Sequence, residues 1–98
     1  MITEHAVLQI DPTRASEFEA AFAQARPLIA RQPGFLSLRL LRIHETAGRY
    51  VLFVGWAALA DHTEGFRSSP EYAPWRALLH PFYDPMPDVE HASDVFTD

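Results

Sequence analysis

Apolar and polar positions alternate in two distinct periods along the chain. Residues 3–10, Thr-Glu-His-Ala-Val-Leu-Gln-Ile, read as a first strand. Asp11-Pro12-Thr13 then has the form of a helix start, with Asp11 or Thr13 as N-cap and proline in the first turn. Over residues 16–30, Phe18, Phe22, Ala25, Leu28 and Ile29 recur at helical spacing. Pro27 within this run predicts a kink or an early end, and Gln32-Pro33-Gly34 a stop. Residues 35–44 and 49–56 read as a β-hairpin about the turn Glu45-Thr46-Ala47-Gly48. A second helix is predicted over 57–67, broken by Ser68-Ser69-Pro70, and a short extra helix over 71–79. Residues 81–87 hold three prolines and read as a loop, and 89–95 as a last strand. The order β-α-β-β-α-β, with right-handed crossovers, predicts an α+β domain of ferredoxin-like plan. Its four-stranded antiparallel sheet carries two helices on one face.

The third strand breaks the alternation expected of a sheet covered on one side. Tyr50, Leu52, Val54 and Trp56 occupy one face, and Val51 and Phe53 the other. In the second strand Leu36, Leu38 and Leu40 fall on one side, and Phe35, Leu41 and Ile43 on the other. The helices cover only one face, so the other predicts a homodimer packed sheet to sheet.

Composition narrows the functions available. The chain has 98 residues, of which 48% are hydrophobic and 21% charged, which suits one globular domain spanning residues 1–98. Net charge is −5, and the eight cations, all arginine, are scattered without a run. That pattern argues against nucleic acid as a partner. There is no cysteine, hence no thiolate nucleophile, disulfide or cysteine metal site. No apolar run nears the roughly 20 residues of a membrane span, and no signal segment is evident, so a cytoplasmic location without membrane contact is expected. Five histidines raise the question of a metal, but none shows H-x-x-x-H or H-E-x-x-H spacing, and no metal is expected. Serine-nucleophile and phosphate-loop patterns do not occur.

Several segments together resemble the antibiotic biosynthesis monooxygenase family of dimeric α+β barrels. They are Arg31-Gln32-Pro33-Gly34-Phe35, Trp56 at the end of the third strand, and Phe66-Arg67-Ser68-Ser69-Pro70-Glu71-Tyr72. The tail from Trp75-Arg76 through His80-Pro81-Phe82-Tyr83 to Val89-Glu90-His91 completes the set. The resemblance implies the same fold and the same dimer. It also implies one of several activities: oxidation of phenols or quinols by molecular oxygen without a cofactor, haem degradation, or none established.

The haem-degrading branch uses an asparagine on the first strand, a tryptophan on the second helix and a histidine ligand after it. This chain has no asparagine. The tryptophan position falls near Gly65 and the histidine position near Trp75, with His80 several residues later, so that branch fits worst. For the phenol-oxidising branch, the family tryptophan falls on Trp56 and the arginine on Arg76. The asparagine falls on Leu52 and the tyrosine on His62. The resemblance thus implies Trp56, His62 and Arg76 as catalytic residues and no cofactor. Leu52, Phe66, Tyr72 and Trp75 would line the site of a small aromatic ligand.

Cofactor-free oxygenation needs a substrate anion able to give an electron to oxygen. The protein then supplies an apolar cavity, a base and a cation. His62 has a suitable reference pKa, Arg76 would favour the anion, and Trp56 would stack on a ring. The same residues admit plainer roles: Trp56 as core, Arg76 and His62 as surface groups. The aromatic cluster Tyr72, Trp75, Phe82 and Tyr83 suits either a partner contact or a lid. The competing function is a non-catalytic dimeric module that binds a small hydrophobic ligand.

Overall fold

The computed structural model describes residues 1–98. Four strands, β1 (Ile2–Gln9), β2 (Phe35–Arg42), β3 (Arg49–Trp56) and β4 (Val89–Ala92), form one antiparallel sheet in the order β2-β3-β1-β4. The two principal helices are α1 (Ala15–Ala30) and α2 (Tyr72–Leu79). This is the ferredoxin-like plan that the order of elements predicts.

Asp11 starts the first crossover. Its Oδ1 accepts from the Thr13 backbone N–H at 3.0 Å and from the Thr13 hydroxyl at 2.8 Å, capping the 3₁₀ turn Pro12–Arg14. Helix α1 then runs unbroken through Pro27. Pro27 and Ala23, whose carbonyl loses its donor, are both exposed, so water replaces the missing bond. The buried stripe of α1 is Phe18, Phe22, Ala25 and Ile29, laid on Tyr50, Leu52, Val54 and Trp56 of β3. Phe18 is fully buried among the rings of Phe22, Tyr50, Phe82 and Tyr83 at centroid distances of 5.0–6.2 Å.

Besides the unbroken α1, three features differ from the sequence expectation. A bulge between Phe35 and Ser37 sets Phe35 on the inner face with Leu38 and Leu40, where its ring meets Trp56 edge-on at 6.0 Å. Simple alternation, which counts no extra residue, placed it outside. The predicted second helix is largely a π-helical turn, Asp61–Phe66, with the Arg67 N–H reaching back to the His62 carbonyl at 3.3 Å. β4 stops at Ala92, and Val95 and Phe96 beyond it are exposed.

The outer face of the sheet stays apolar and uncovered in the single chain. Val7 is 44% and Leu41 36% exposed, and Val51 and Phe53 are only half-buried. No helix is long and apolar enough to cross a membrane.

Candidate functional site

Strand β1 brings one unusual residue to the inner face. Glu4 lies in phase with Ala6 and Leu8, which are buried under the helices, and is itself only 5% exposed. Across the sheet it pairs with Val54 on β3 and His91 on β4. A carboxylate in this position must find donors. The Trp56 indole N–H donates to Glu4 Oε1 at 3.0 Å, and His62 Nε2 lies 3.3 Å from the same oxygen. His62 Nδ1 in turn lies 2.8 Å from His91 Nε2, and its ring stacks on Trp56 at 5.5 Å.

The π-helical turn is what delivers His62 here. Gly34, at φ +82°, ends the turn after α1 and packs so closely on Asp61 that a Cβ would lie 2.1 Å from Asp61 Oδ2. Asp61 Oδ2 accepts from the Ala58 N–H at 3.0 Å, and the Ala57 N–H donates to the Gly34 carbonyl at 2.8 Å. Glycine at 34 therefore lets the α1–β2 junction hold the start of the turn. The wide turn then sends both His62 and Phe66 inward. Such turns recur at functional sites.

Beside Glu4 is a cavity of about 220 Å³ between the sheet, the π turn and α2. Leu52, Phe66, Tyr72 and Trp75 form its apolar wall, and His80 and Tyr83 add polar edges. Glu4 Oε1 accepts from Trp56 with His62 Nε2 close beside it, Oε2 has no hydrogen-bond partner within the chain, and Glu4 lines the cavity. Arg67 stands at the rim, exposed, with no ion-pair partner.

The electrostatics follow from burial. Burial raises the Glu4 pKa above its ordinary 4.5, opposed in part by the Trp56 hydrogen bond and the charge of Arg67. Burial, then Arg67 and His91, lowers His62 to about 4. Burial and Arg67 also lower His91. Both rings are therefore neutral at pH 7. Burial raises Tyr83, with Glu4 and Tyr72 adding to it, so its hydroxyl stays protonated.

The structure brings together Leu52, His62, Phe66, Tyr72 and Trp75 around one cavity. It sets the other two residues of the expected site elsewhere. Trp56 is fully buried behind Glu4 and holds that carboxyl instead of facing a ligand. Arg76 lies on the exposed side of α2 and borders a different surface hollow with Ala73, Ala77 and Pro81. The guanidinium at the cavity is that of Arg67. Glu4, Arg67 and His91 are members of the site that pattern reading passes over. Glu4 alone left a legible trace, as a carboxylate in phase with apolar inward positions of a strand. No three His, Cys, Asp or Glu side chains are grouped to hold a metal ion.

The sequence profile described as antibiotic biosynthesis monooxygenase matches residues 1–78. The chain belongs to the antibiotic biosynthesis monooxygenase family. The uncharacterized protein YczJ of Bacillus subtilis is 48% identical over 95 residues, covering 97% of this chain and all of YczJ. A solved structure from Bordetella bronchiseptica bearing the same family description superposes with a TM-score of 0.91 at 37% identity, covering 97% of each chain. SnoaB of Streptomyces nogalater, a cofactor-independent oxygenase, superposes with a TM-score of 0.84 at 23% identity over 98% of this chain and 94% of its own. At that identity the likeness to SnoaB concerns the fold alone.

Proposed function

We propose that the chain is a monooxygenase that oxidises a small aromatic phenol or quinol with molecular oxygen as its only co-substrate. It would work as a homodimer joined through the outer face of the sheet. One observation carries the reading: an apolar cavity on the fold of this family into which a single buried carboxylate projects. An engineered apolar cavity of about 150 Å³ accommodates benzene. A space of about 220 Å³ thus suits a one-ring or fused two-ring substrate. It is well below the roughly 300–1,000 Å³ of sites for larger ligands, which argues against a porphyrin.

The chemistry asked of the protein is limited. Loss of the phenolic proton gives an electron-rich anion, and the rim guanidinium of Arg67 favours that anion. Oxygen adds at a ring carbon bearing hydrogen, giving a hydroperoxide. Loss of water then leaves a carbonyl there. One oxygen atom stays in the product, the other leaves as water, and the substrate supplies all the electrons. The walls of Leu52, Phe66 and Trp75 keep bulk water from the anion. His62 lines the cavity with one nitrogen beside Glu4 and the other on His91, so its part in the proton transfer is through Glu4. Arg76 has no part in this scheme.

The buried, apolar Leu52 favours a second reading, a module that only binds such a ligand, because no side-chain amide is present there to hold an oxygen intermediate. Oxygen uptake and product absorbance under air separate the two, with benzene-1,4-diol and naphthalene-1,4-diol as substrates of the expected size and three-ring anthrone as one above it. The monooxygenase consumes one oxygen per substrate and releases no hydrogen peroxide. Tight binding of these compounds with no uptake above buffer means the binding module. A Soret shift on haemin titration would reopen haem chemistry.

A further inference from the structure

We propose that Glu4 is the base that takes the substrate proton, and that His62 and His91 form the line through which Glu4 exchanges its own proton with solvent to become that base. The inference rests on the oxidation chemistry above for its catalytic part and on geometry alone for the relay. Three titratable side chains from three separate elements stand in line: Glu4 on β1, His62 on the π turn and His91 on β4. The gaps are 3.3 Å from Glu4 Oε1 to His62 Nε2 and 2.8 Å from His62 Nδ1 to His91 Nε2. The inner end is buried, with Glu4 5% and His62 4% exposed, whereas the His91 ring reaches the surface as a half-buried residue. A buried ring with one nitrogen toward a carboxyl and the other toward a second, half-exposed ring has the connectivity of a wire.

Two arrangements satisfy every contact in the line. With Glu4 ionised, Trp56 Nε1–H points at Oε1, His62 carries its proton on Nε2 beside the same oxygen, and His91 Nε2–H points at His62 Nδ1. With Glu4 protonated on Oε1, the carboxyl donates to His62 Nε2, His62 Nδ1–H donates to His91 Nε2, and His91 carries its proton on Nδ1. The second arrangement holds one proton more than the first. Going from the second arrangement to the first, Oε1–H passes to His62 Nε2, His62 Nδ1–H to His91 Nε2, and His91 Nδ1–H to water, which leaves Glu4 ionised. A phenol then breaks its O–H bond at Oε2, and Glu4 returns that same proton to the peroxide oxygen before water is lost, so the turnover releases no net proton. Each hop breaks one O–H or N–H bond and forms another, and no electron moves. The rings stay neutral before and after, which suits a site that Arg67 already makes unfavourable for an imidazolium. The other groups around the line are the Trp56 indole from β3, Arg67 after the π turn, Tyr72 from α2, His80, whose pKa burial and then Arg76 lower, and the Tyr83 hydroxyl, whose pKa burial raises.

The arrangement makes a prediction that needs no substrate. In ¹⁵N,¹³C-labelled protein titrated from pH 8 downward, the Glu4 carboxyl carbon and the imidazole nitrogens of His62 and His91 are followed together. We expect His62 to exchange Nε2–H for Nδ1–H in step with protonation of Glu4, and Glu4→Gln to abolish that exchange. Protonation of Glu4 while His62 keeps Nε2–H, or becomes an imidazolium, overturns the relay. The catalytic part is tested with naphthalene-1,4-diol under air. Glu4→Gln should lower kcat by about 10²–10⁴-fold, the usual worth of a positioned base. His91→Ala, at a partly exposed edge position that tolerates truncation, should lower kcat with KM unchanged, and free imidazole should restore it. An unchanged kcat in His91→Ala removes His91 as the outlet. If the wild-type protein oxidises none of the three test compounds, the function proposed above fails while the tautomer titration still decides the relay.

Discussion

Titration of His62 converts the geometry of the site into a measurable slope of stability against pH. In the unfolded chain this imidazole titrates near 6.5, and in the fold near 4. Between those values the unfolded state binds the extra proton. The stabilisation is therefore complete above pH 6.5 and is lost as pH falls toward 4. At pH 5 the unfolded ring is almost wholly charged and the folded ring almost wholly neutral. Linkage gives about 2 kcal/mol for that difference, and screening by water at the cavity mouth trims it to roughly 1–2 kcal/mol. In a domain of this size that corresponds to a fall of about 5–10 °C in Tm. His62→Gln keeps a polar side chain and removes the titration. Burial raises Glu4, so Glu4 works with the opposite sign: its stabilisation is present below pH 4.5 and is lost as pH rises. The contribution of His80 is present in both proteins and drops out of the difference, whereas Glu4 and His91 touch His62, so their own resonances are followed in both proteins alongside the unfolding curves. The assay is thermal or urea unfolding followed by circular dichroism at pH 8, 7, 6 and 5, at one fixed protein concentration. Between pH 8 and 5 the wild type should lose roughly 1–2 kcal/mol more than His62→Gln does. Parallel curves for the two proteins would show that the ring is not held neutral, and the electrostatic account of the site would be wrong.

Two further outcomes follow from the packing. Gly34→Ala forces a Cβ to within 2.1 Å of Asp61 Oδ2 at a positive φ, so unfolding should become easier by about 1–3 kcal/mol, and the His62 imidazole resonances should move because Asp61 opens the π turn. Phe53→Glu places charge in the middle of the exposed apolar sheet face, and sedimentation velocity should show the proposed dimer reduced to an 11.1 kDa particle. A wild-type protein that already sediments at that mass at micromolar concentration would refute the dimer.

Much of the architecture was written in local chemistry. Alternation in β1, the Phe18–Phe22–Ala25–Ile29 stripe of α1, the Asp11 cap and the glycine of Gly34 are each decided within a few residues, so periodicity and turn chemistry reveal them. The two-faced greasiness of β3 likewise showed, before any coordinates, that one sheet face lacks a cover. Five cavity residues, Leu52, His62, Phe66, Tyr72 and Trp75, were legible by resemblance because they sit on elements whose faces the periods define.

Other features were set by tertiary contacts that no local pattern records. The bulge at Leu36 turned Phe35 inward because its ring packs against Trp56 across the sheet. Pro27 left α1 whole because the orphaned carbonyl happens to face water. Arg67, directly after the π turn, borders the cavity, whereas Arg76 lies on the exposed side of α2 at another hollow. The Glu4–His62–His91 line joins residues 29 and more positions apart, and sheet register alone sets Glu4 opposite His91. Short-range sterics and burial make the elements of this fold. The protonation and reach of a side chain depend on which neighbours the assembled sheet and helices bring to it, and only the folded chain decides that.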